Sequence, residues 1–343
     1  MTRATPHLTY VESLRRALAE IMADDPRAVV LGEDILDPYG GAFKVTQGLS
    51  TRFPERVFAT PIAEASIVGV SVGLALRGFH PIAEIMFGDF IALGADQLIN
   101  HAAKYPAMYN GAVQVPLVVR TPMGGGRGYG PTHSQSLERL FFGIPHLKLI
   151  AASHLHDAGA LLKLAAADPE PVLFVENKLL YPLALHLSAD GAVRSFATTL
   201  DRFGYPVTTA TNYPAAQIPD VTVIAYGGMS RLVLPLFDEF AGEEIRVLAC
   251  FPSCISPLDP APLAEAAAAS GRVIVVEESQ TAFGWGAEVA AQLYAALGAQ
   301  LHAPVQRLGA APTVIPAAKS LEDQVLVSTA VIRDAVFELL RST

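Results

Sequence analysis

Residues 57–90 read VFATPIAEASIVGVSVGLALRGFHPIAEIMFGDF, and this stretch decides the fold class. Small and apolar residues recur at helical spacing over residues 63–77, and Gly78 then marks the end of that helix. The segment at residues 81–85 is short and mostly apolar, which is typical of a buried strand. A buried strand that directly follows a helix of small residues indicates a layered α/β fold.

The same alternation continues along the chain in both directions from this stretch. Further buried strands are predicted at residues 28–32, 115–120, 147–152, 171–176, 221–226, 245–250 and 272–277. Helices are predicted at residues 87–105, 155–167, 229–240, 260–269, 287–297 and about 323–340. Continuous apolar strands that alternate with helices are typical of parallel sheets covered on both faces. The sequence therefore predicts an α/β protein with two doubly wound parallel-sheet domains.

Residues 183–219 interrupt the alternation. Serine, threonine, glycine and two Tyr-Pro pairs break any helical or strand period there. We interpret this segment as a linker or surface excursion, because long irregular stretches are uncommon inside one domain. The prediction is a first domain at residues 1–182 and a C-terminal α/β domain at residues 220–343, in line with a length of 343 residues.

Composition excludes several classes of protein. With 51% hydrophobic and 17% charged residues, the chain is not disordered. The net charge of −9 without a basic cluster argues against nucleic acid or an anionic membrane as a partner. No apolar run reaches the roughly 18 residues of a membrane span. Residues 1–24 lack the apolar block of a signal peptide, and only Cys250 and Cys254 occur, so we expect a cytoplasmic protein.

Three segments place polar or aromatic groups where ligands bind in open α/β sheets, at the carboxyl ends of strands. TPIAEASIVG at residues 60–69 puts Glu64 in the first turns of a helix. EIMFGDF at residues 84–90 puts an acid and two aromatic rings at a strand-to-helix junction. PTHSQS at residues 131–136 puts His133 directly after a glycine-rich run. We expect these groups to converge.

Taken one at a time, these residues also have ordinary structural explanations. Glu64 is favoured at a helix start by the helix dipole, Phe90 suits a plain core position, and a lone histidine is often a satisfied surface residue. The glycine run MGGGRGYG at residues 123–130 has neither dinucleotide-binding nor P-loop spacing, so it predicts no nucleotide site. From the residues alone, these alternatives stay open.

Taken together, the motifs resemble a known family. GEDILDPYGG at residues 32–41, TPIAE at 60–64, EIMFGDF at 84–90 and HSQSLE at 133–138 resemble the beta subunit of the decarboxylating component of 2-oxo acid dehydrogenase complexes. That family includes pyruvate, branched-chain 2-oxo acid and acetoin members. The resemblance runs from about residue 8 to residue 181 and resumes at VTVIAYG, SPLD and RVIVVE. It implies a transketolase-like pyrimidine-binding domain followed by a transketolase C-terminal-like domain.

The resemblance implies that the chain supplies the aminopyrimidine half of a thiamine diphosphate site. Glu64 matches the glutamate that hydrogen-bonds a pyrimidine ring nitrogen, and Phe90 matches the aromatic ring that stacks on the pyrimidine. Met86 looks like a packing residue beside them. His133 matches a histidine near the reacting centre that orients the substrate or the acyl acceptor. Glu33 resembles a further acidic residue near the pyrimidine end.

The resemblance also implies a structural potassium ion, held largely by backbone oxygens. The positions that match its ligands are Leu117, Ala165, Ala166, Asp168 and Glu170.

An absent motif points to a partner. Related thiamine diphosphate enzymes carry a GDG sequence followed by N or NN, which binds the magnesium ion of the diphosphate. This chain has no GDG, since Gly88-Asp89 is followed by Phe90. The resemblance therefore implies an alpha subunit that carries GDG…NN and holds the magnesium, in an α2β2 heterotetramer. It further implies transfer of the acyl group to a lipoyl acyltransferase component.

Two alternatives accompany this hypothesis. The chain could be a subunit of an acetoin-cleaving or transketolase-like C–C bond enzyme in a biosynthetic pathway. It could also be a non-catalytic scaffold subunit that docks the acyltransferase through its C-terminal half. The presence of Glu64 favours a catalytic subunit over a scaffold.

Overall fold

A computed structural model describes residues 8–341 of the chain. The described residues therefore leave out the first seven residues of the predicted domain 1–182 and the last two of domain 220–343. The same seven residues begin the segment 1–24, in which the sequence predicts no signal peptide. Two sheets, one of seven strands and one of six, organise the molecule. Across residues 8–341, every helix is too short or too polar to traverse a lipid bilayer.

The strands and helices follow one another along both halves of the chain. The strands are β1 Ala28–Gly32, β2 Val57–Ala59, β3 His80–Glu84, β4 Val118–Met123, β5 Lys148–Ala151, β6 Val172–Asn177, β7 Ser195–Leu200, β8 Pro206–Thr211, β9 Val221–Ala225, β10 Val247–Pro252, β11 Cys254–Ser256, β12 Val273–Gln280 and β13 Gln306–Ala310. The helices are α1 Tyr10–Asp24, α2 Leu49–Arg52, α3 Glu64–Leu76, α4 Tyr105–Met108, α5 Ala158–Ala167, α6 Ser230–Val233, α7 Phe237–Gly242, α8 Pro260–Ser270, α9 Trp285–Leu297, α10 Lys319–Val325 and α11 Thr329–Arg341.

Both sheets are parallel at their centres and antiparallel at one edge. The first has the order β11-β5-β6-β4-β3-β1-β2, and only β11 runs against its neighbour. The second has the order β13-β12-β9-β10-β8-β7, with β8 and β7 antiparallel. Strands β1, β4 and β6 are buried along their whole length, because helices cover both faces of a parallel sheet. The predicted α/β fold class is confirmed.

The segment at residues 183–219 differs from the predicted linker. It contains β7 and β8, which form a hairpin at the edge of the second sheet. The threonine side chains make these strands hard to predict from the sequence. They are polar, yet in the structure their hydroxyl groups form hydrogen bonds when they are buried. Thr208 Oγ1 lies 3.0 Å from Thr198 Oγ1 across the hairpin, and Thr211 Oγ1 donates to the Tyr213 carbonyl at 2.6 Å.

Three predicted helices are broken. The helix predicted at residues 229–240 is divided into α6 and α7 by a 3-10 turn at Leu234–Leu236. In place of one helix at residues 87–105, the chain forms a 3-10 turn at Gly88–Gly94 and a π-helical turn at Gln97–Ala102 before α4. The helix predicted at about residues 323–340 is two helices, α10 and α11. They are separate because Leu326 is extended, with φ −83° and ψ 152°, and Ser328 Oγ then accepts the Val331 amide at the start of α11.

The two halves share one hydrophobic core. A single buried cluster contains Val119 and Leu173 of the first sheet together with Ile224 and Trp285 of the second half. The Trp285 indole donates to the Ile255 carbonyl at 3.1 Å, within β11. Since β11 belongs to the second half but completes the first sheet, the halves interlock rather than merely touch.

Candidate active site

Parallel strands bring the candidate residues to one edge of the first sheet. Glu33 directly follows β1, Glu64 follows β2, and Met86 and Phe90 follow β3. His133 lies in the long loop after β4. The carboxyl ends of parallel strands share an edge, and this is where open α/β sheets bind ligands.

Glu64 is the first residue of α3 and is 5% exposed. A carboxylate at a helix start is favoured by the helix dipole, which explains its place but not its burial. The turn that carries Phe90 packs directly against α3. It can do so because Gly94 has no side chain: a Cβ there would lie 2.8 Å from Val68 Cγ2 and 3.6 Å from the Glu64 carbonyl oxygen.

Glu33 is the second buried carboxyl group of the site. It is 4% exposed, and its Oε1 has no hydrogen-bond partner among the described residues. Burial first, and then the charges of Glu64, Asp34 and Glu84, raise the pKa of Glu33 to about 7. Glu33 therefore holds a proton more strongly than an ordinary carboxyl group does, and its buried Oε1 remains available for a ligand.

Aromatic rings hold His133 from two sides. Its imidazole meets the edge of Phe87 with centroids 4.7 Å apart and that of Phe90 at 5.2 Å, both in edge-to-face geometry. Its Nδ1 lies 3.0 Å from Thr132 Oγ1. The structure thus brings His133 and Phe90 into contact, as the sequence predicts, and Phe87 joins them.

Two polar residues that sequence reasoning missed fix the His133 segment. Asp89 Oδ1 accepts from the backbone amide and the side-chain amide of Gln135, at 3.1 and 2.9 Å. Lys178 is 1% exposed and donates to the His133 carbonyl oxygen. Burial lowers the pKa of Lys178 to about 8. The signal for Lys178 was its position directly after β6, at the same edge of the sheet.

A buried ion network lies beneath the site. Arg120 is 1% exposed and pairs with Glu84 and Glu176 on the neighbouring strands β3 and β6. Its Nε and Nη2 donate to the two carboxylate oxygens of Glu176 at 2.8 and 2.6 Å, and Tyr181 also donates to Glu176. One cation between two carboxylates links three adjacent strands, β3, β4 and β6.

The residues predicted to bind potassium do not fit that ion. Lys148 Nζ donates to both Asp168 oxygens, at 2.8 and 2.9 Å, and lies 2.8 Å from Glu170 Oε2. The Leu117 carbonyl accepts the Val172 amide, and the Ala165 carbonyl accepts the Asp168 amide. The ammonium group of Lys148 thus already supplies the positive charge that a potassium ion would bring to these carboxylates.

Comparison with known proteins agrees with this geometry. Residues 7–184 match the family described as "Transketolase, pyrimidine binding domain", and residues 215–332 match "Transketolase, C-terminal domain". The 2-oxoisovalerate dehydrogenase subunit beta of Bacillus subtilis is 36% identical over 335 residues, which cover 97% of this chain and 98% of the relative. The chain belongs to the E1 beta-subunit family of 2-oxo acid dehydrogenases.

Other members of the E1 beta family match over a similar span. The mitochondrial pyruvate dehydrogenase E1 component subunit beta-2 of Oryza sativa is 36% identical over 93% of this chain and 82% of its own. The 3-methyl-2-oxobutanoate dehydrogenase subunit beta of Mycobacterium tuberculosis is 36% identical over 98% and 93%. A solved structure titled "Split gene transketolase, inactive beta4 tetramer" superposes with a TM-score of 0.70 at 21% identity, covering 97% of this chain and 99% of that one, which supports the fold.

E1 beta proteins depend on thiamine diphosphate, and the residues present fit its aminopyrimidine end. Within residues 8–341 the buried Oε1 of Glu33 lacks a partner, Glu64 is a buried carboxyl at the start of α3, and Phe90 offers a half-buried ring. Met86 is also half-buried at this edge. The individual roles of these residues and of His133 stay predictions.

Proposed function

We propose that the chain is the beta subunit of a 2-oxo acid dehydrogenase E1 component. Together with an alpha subunit it decarboxylates a 2-oxo acid on thiamine diphosphate and transfers the acyl group to a lipoyl domain. The observation that carries this proposal is the pair of buried carboxyl groups, Glu33 and Glu64, at the same edge of the sheet as the Phe90–His133 contact, in a chain of the E1 beta family.

Each residue has a distinct task in this proposal. Thiamine diphosphate, when bound, supplies the electron sink that decarboxylation requires. Glu64 hydrogen-bonds the pyrimidine ring nitrogen and shares a proton with it. Phe90 stacks on the pyrimidine, a contact that contributes roughly 0.5–1.5 kcal/mol beyond area burial. His133, held between two rings, orients the acyl acceptor.

The proposal requires partner chains. The alpha subunit would carry the GDG…NN motif and the magnesium ion that bind the diphosphate, because this chain contains no GDG. We propose an α2β2 heterotetramer that docks on a lipoyl acyltransferase component. We also propose a cytoplasmic location, which is supported by the free thiols of Cys250 and Cys254, since reducing compartments keep thiols unpaired.

Replacement of Glu64 by glutamine tests the proposal. Glutamine keeps the size of the side chain but cannot donate or share the acidic proton. In the enzyme reconstituted with its alpha subunit, we expect Glu64→Gln to lower decarboxylation by about a hundredfold or more, measured with a dye as electron acceptor.

The exposed Glu55 offers a matched control, since Glu55→Gln makes the same chemical change outside the site. That variant should keep full turnover. Full turnover of the Glu64→Gln enzyme would contradict the proposed role of the carboxyl pair.

A further inference from the structure

The glycine-rich loop after β4 is an anion-binding nest. Gly124, Gly126, Gly128 and Gly130 all have positive φ, at +93°, +92°, +68° and +78°, while the residues between them do not. Such alternation turns successive backbone N–H groups toward one point, where they can bind an anion. Only glycine adopts this conformation readily at four positions, which explains the composition of the loop.

The anion in this nest is a side chain of the C-terminal half. Glu322, on α10, is completely buried and accepts the Gly126 amide at 2.8 Å through Oε1 and the Gly128 amide at 2.9 Å through Oε2. The fit is close, because a Cβ on Gly125 would lie 2.6 Å from Leu326 Cδ1. The nest therefore binds the chain itself, and no external anion is needed.

The nest leads directly to His133. The His133 amide donates to the Gly130 carbonyl at 3.3 Å, so the last glycine and the histidine form one turn. Gly130 packs on the C-terminal half, since a Cβ there would lie 3.2 Å from Ala317 Cβ. Lys178 and Asp89 restrain the far side of the same loop from the first half.

We infer that Glu322 is a positioning residue for His133. By holding the amides of Gly126 and Gly128, it sets the distance between His133 and the acyl acceptor. The C-terminal half is then part of the acyl-transfer machinery and not only a scaffold. This inference rests on the proposed function for its catalytic readout, whereas the link between Glu322 and the loop can be tested without it.

Glu322 can hold the loop because its side chain is a carboxylate. Both oxygens of Glu322 accept charge-assisted hydrogen bonds, which are stronger than neutral ones. In Glu322→Gln one oxygen becomes an NH2 donor that faces an amide N–H, so one bond is lost and a repulsive contact replaces it. Glu322→Asp keeps the charge on a shorter side chain and should restore part of the effect.

The first experiment measures loop order by limited trypsin digestion at the exposed Arg127, in the reconstituted enzyme. We expect Glu322→Gln to speed cleavage at this site about tenfold, because a bond to a charged group is lost. Asp323→Asn removes an equal charge from the exposed face of the same helix and should leave the cleavage rate unchanged.

The second experiment compares two activities of the same variants. We expect Glu322→Gln to lower the kcat of acyl transfer to a lipoyl domain by about ten- to a hundredfold, since small displacements of a positioned group are costly. The KM for the 2-oxo acid should be little changed, and dye-linked decarboxylation should fall less than transfer does. Glu322→Asp should recover part of the transfer rate.

The outcomes separate the inference from the proposed function. Wild-type rates of both cleavage and transfer in Glu322→Gln would overturn the inference. A different outcome is faster cleavage in Glu322→Gln together with no acylation of a lipoyl domain by the unmodified reconstituted enzyme. That outcome would support the link between Glu322 and the loop and overturn the proposed function. If the variant does not fold, amide hydrogen exchange in the unmodified enzyme decides: slow exchange at Gly126 and Gly128 supports the inference, and fast exchange overturns it.

Discussion

The Glu33 side chain titrates near neutral pH. Its pKa is raised to about 7 by burial and by the neighbouring Glu64 carboxylate. The native state therefore binds more protons than the unfolded state at pH values between about 4.5 and 7. By linkage, stability that Glu33 contributes below this window is lost as the pH rises through it.

Glu33→Gln removes this dependence. We expect the free energy of unfolding of the variant to gain on that of the wild type between pH 5 and pH 8, by about 1–2 kcal/mol once solvent screening is allowed for. Urea unfolding of the isolated chain at several pH values measures the difference. Glu55→Gln, at an exposed position, is the control. Parallel pH profiles for Glu33→Gln and the wild type would show that Glu33 is not a buried, raised-pKa group.

The motifs located some site residues and not others. Glu64 and His133 stand out because polar side chains interrupt small or glycine-rich runs. Glu322 carries no such signal, and Lys178 is marked only by its position after β6, because each acts through a partner more than 40 residues away in the chain. Long-range pairing depends on the strand order, which a single sequence does not specify.

At the scale of elements, the corner between β5, α5 and β6 is closed by a side chain rather than an ion. Lys148 connects the start of β5 to Asp168 and Glu170, in the connection between α5 and β6. Tyr205, on the β7–β8 turn, donates to the same Asp168 at 2.9 Å. Because the cation is a side chain of the protein itself, we expect the stability of this corner not to depend on which salt is present.

We expect exchange of potassium for choline at constant ionic strength to leave the Tm of the chain unchanged. Lys148→Met should lower the free energy of unfolding by about 2–3 kcal/mol, because two carboxylates lose their cation. Lys104→Met, at an exposed position, should have little effect. Thermal unfolding followed by circular dichroism measures all three. A Tm that rises specifically with potassium would contradict this account.

Elements with plain apolar periodicity are the ones that the sequence predicts well. Strand β1 has the predicted bounds, and α3 begins and ends within one residue of the prediction. Helix α1 was missed although its capping box, Thr9 with Glu12, is visible in the sequence. The hairpin β7–β8 had no such signal, because two of the four buried positions of β8, Thr208 and Thr211, are polar threonines.

At the scale of the whole molecule, the interlocked halves should unfold together. Strand β11 pairs with β5 of the first sheet, and Trp285 packs in the core that both sheets share. Separate unfolding of either half would break this core and expose a sheet edge. Two-state behaviour is therefore expected despite the length of the chain.

The chain contains a single tryptophan, which makes this prediction easy to measure. Trp285 fluorescence reports on the shared core, and far-ultraviolet circular dichroism reports on both sheets. We expect the two urea unfolding curves of the isolated chain to coincide. Trp285→Phe should abolish the fluorescence change and confirm its origin. A circular dichroism transition that clearly precedes or follows the fluorescence transition would show that the halves unfold independently.

The late arrival of β11 has a consequence for synthesis on the ribosome. Strand β5 ends at Ala151, but its edge partner Cys254–Ser256 leaves the ribosome only about 100 residues later. At usual translation rates the edge of β5 that pairs with β11 stays unpaired for roughly 5–20 s. Such an edge is a template for pairing with other nascent chains. Slow translation of the second half, or scarce chaperones, should therefore favour aggregation before the polypeptide is complete.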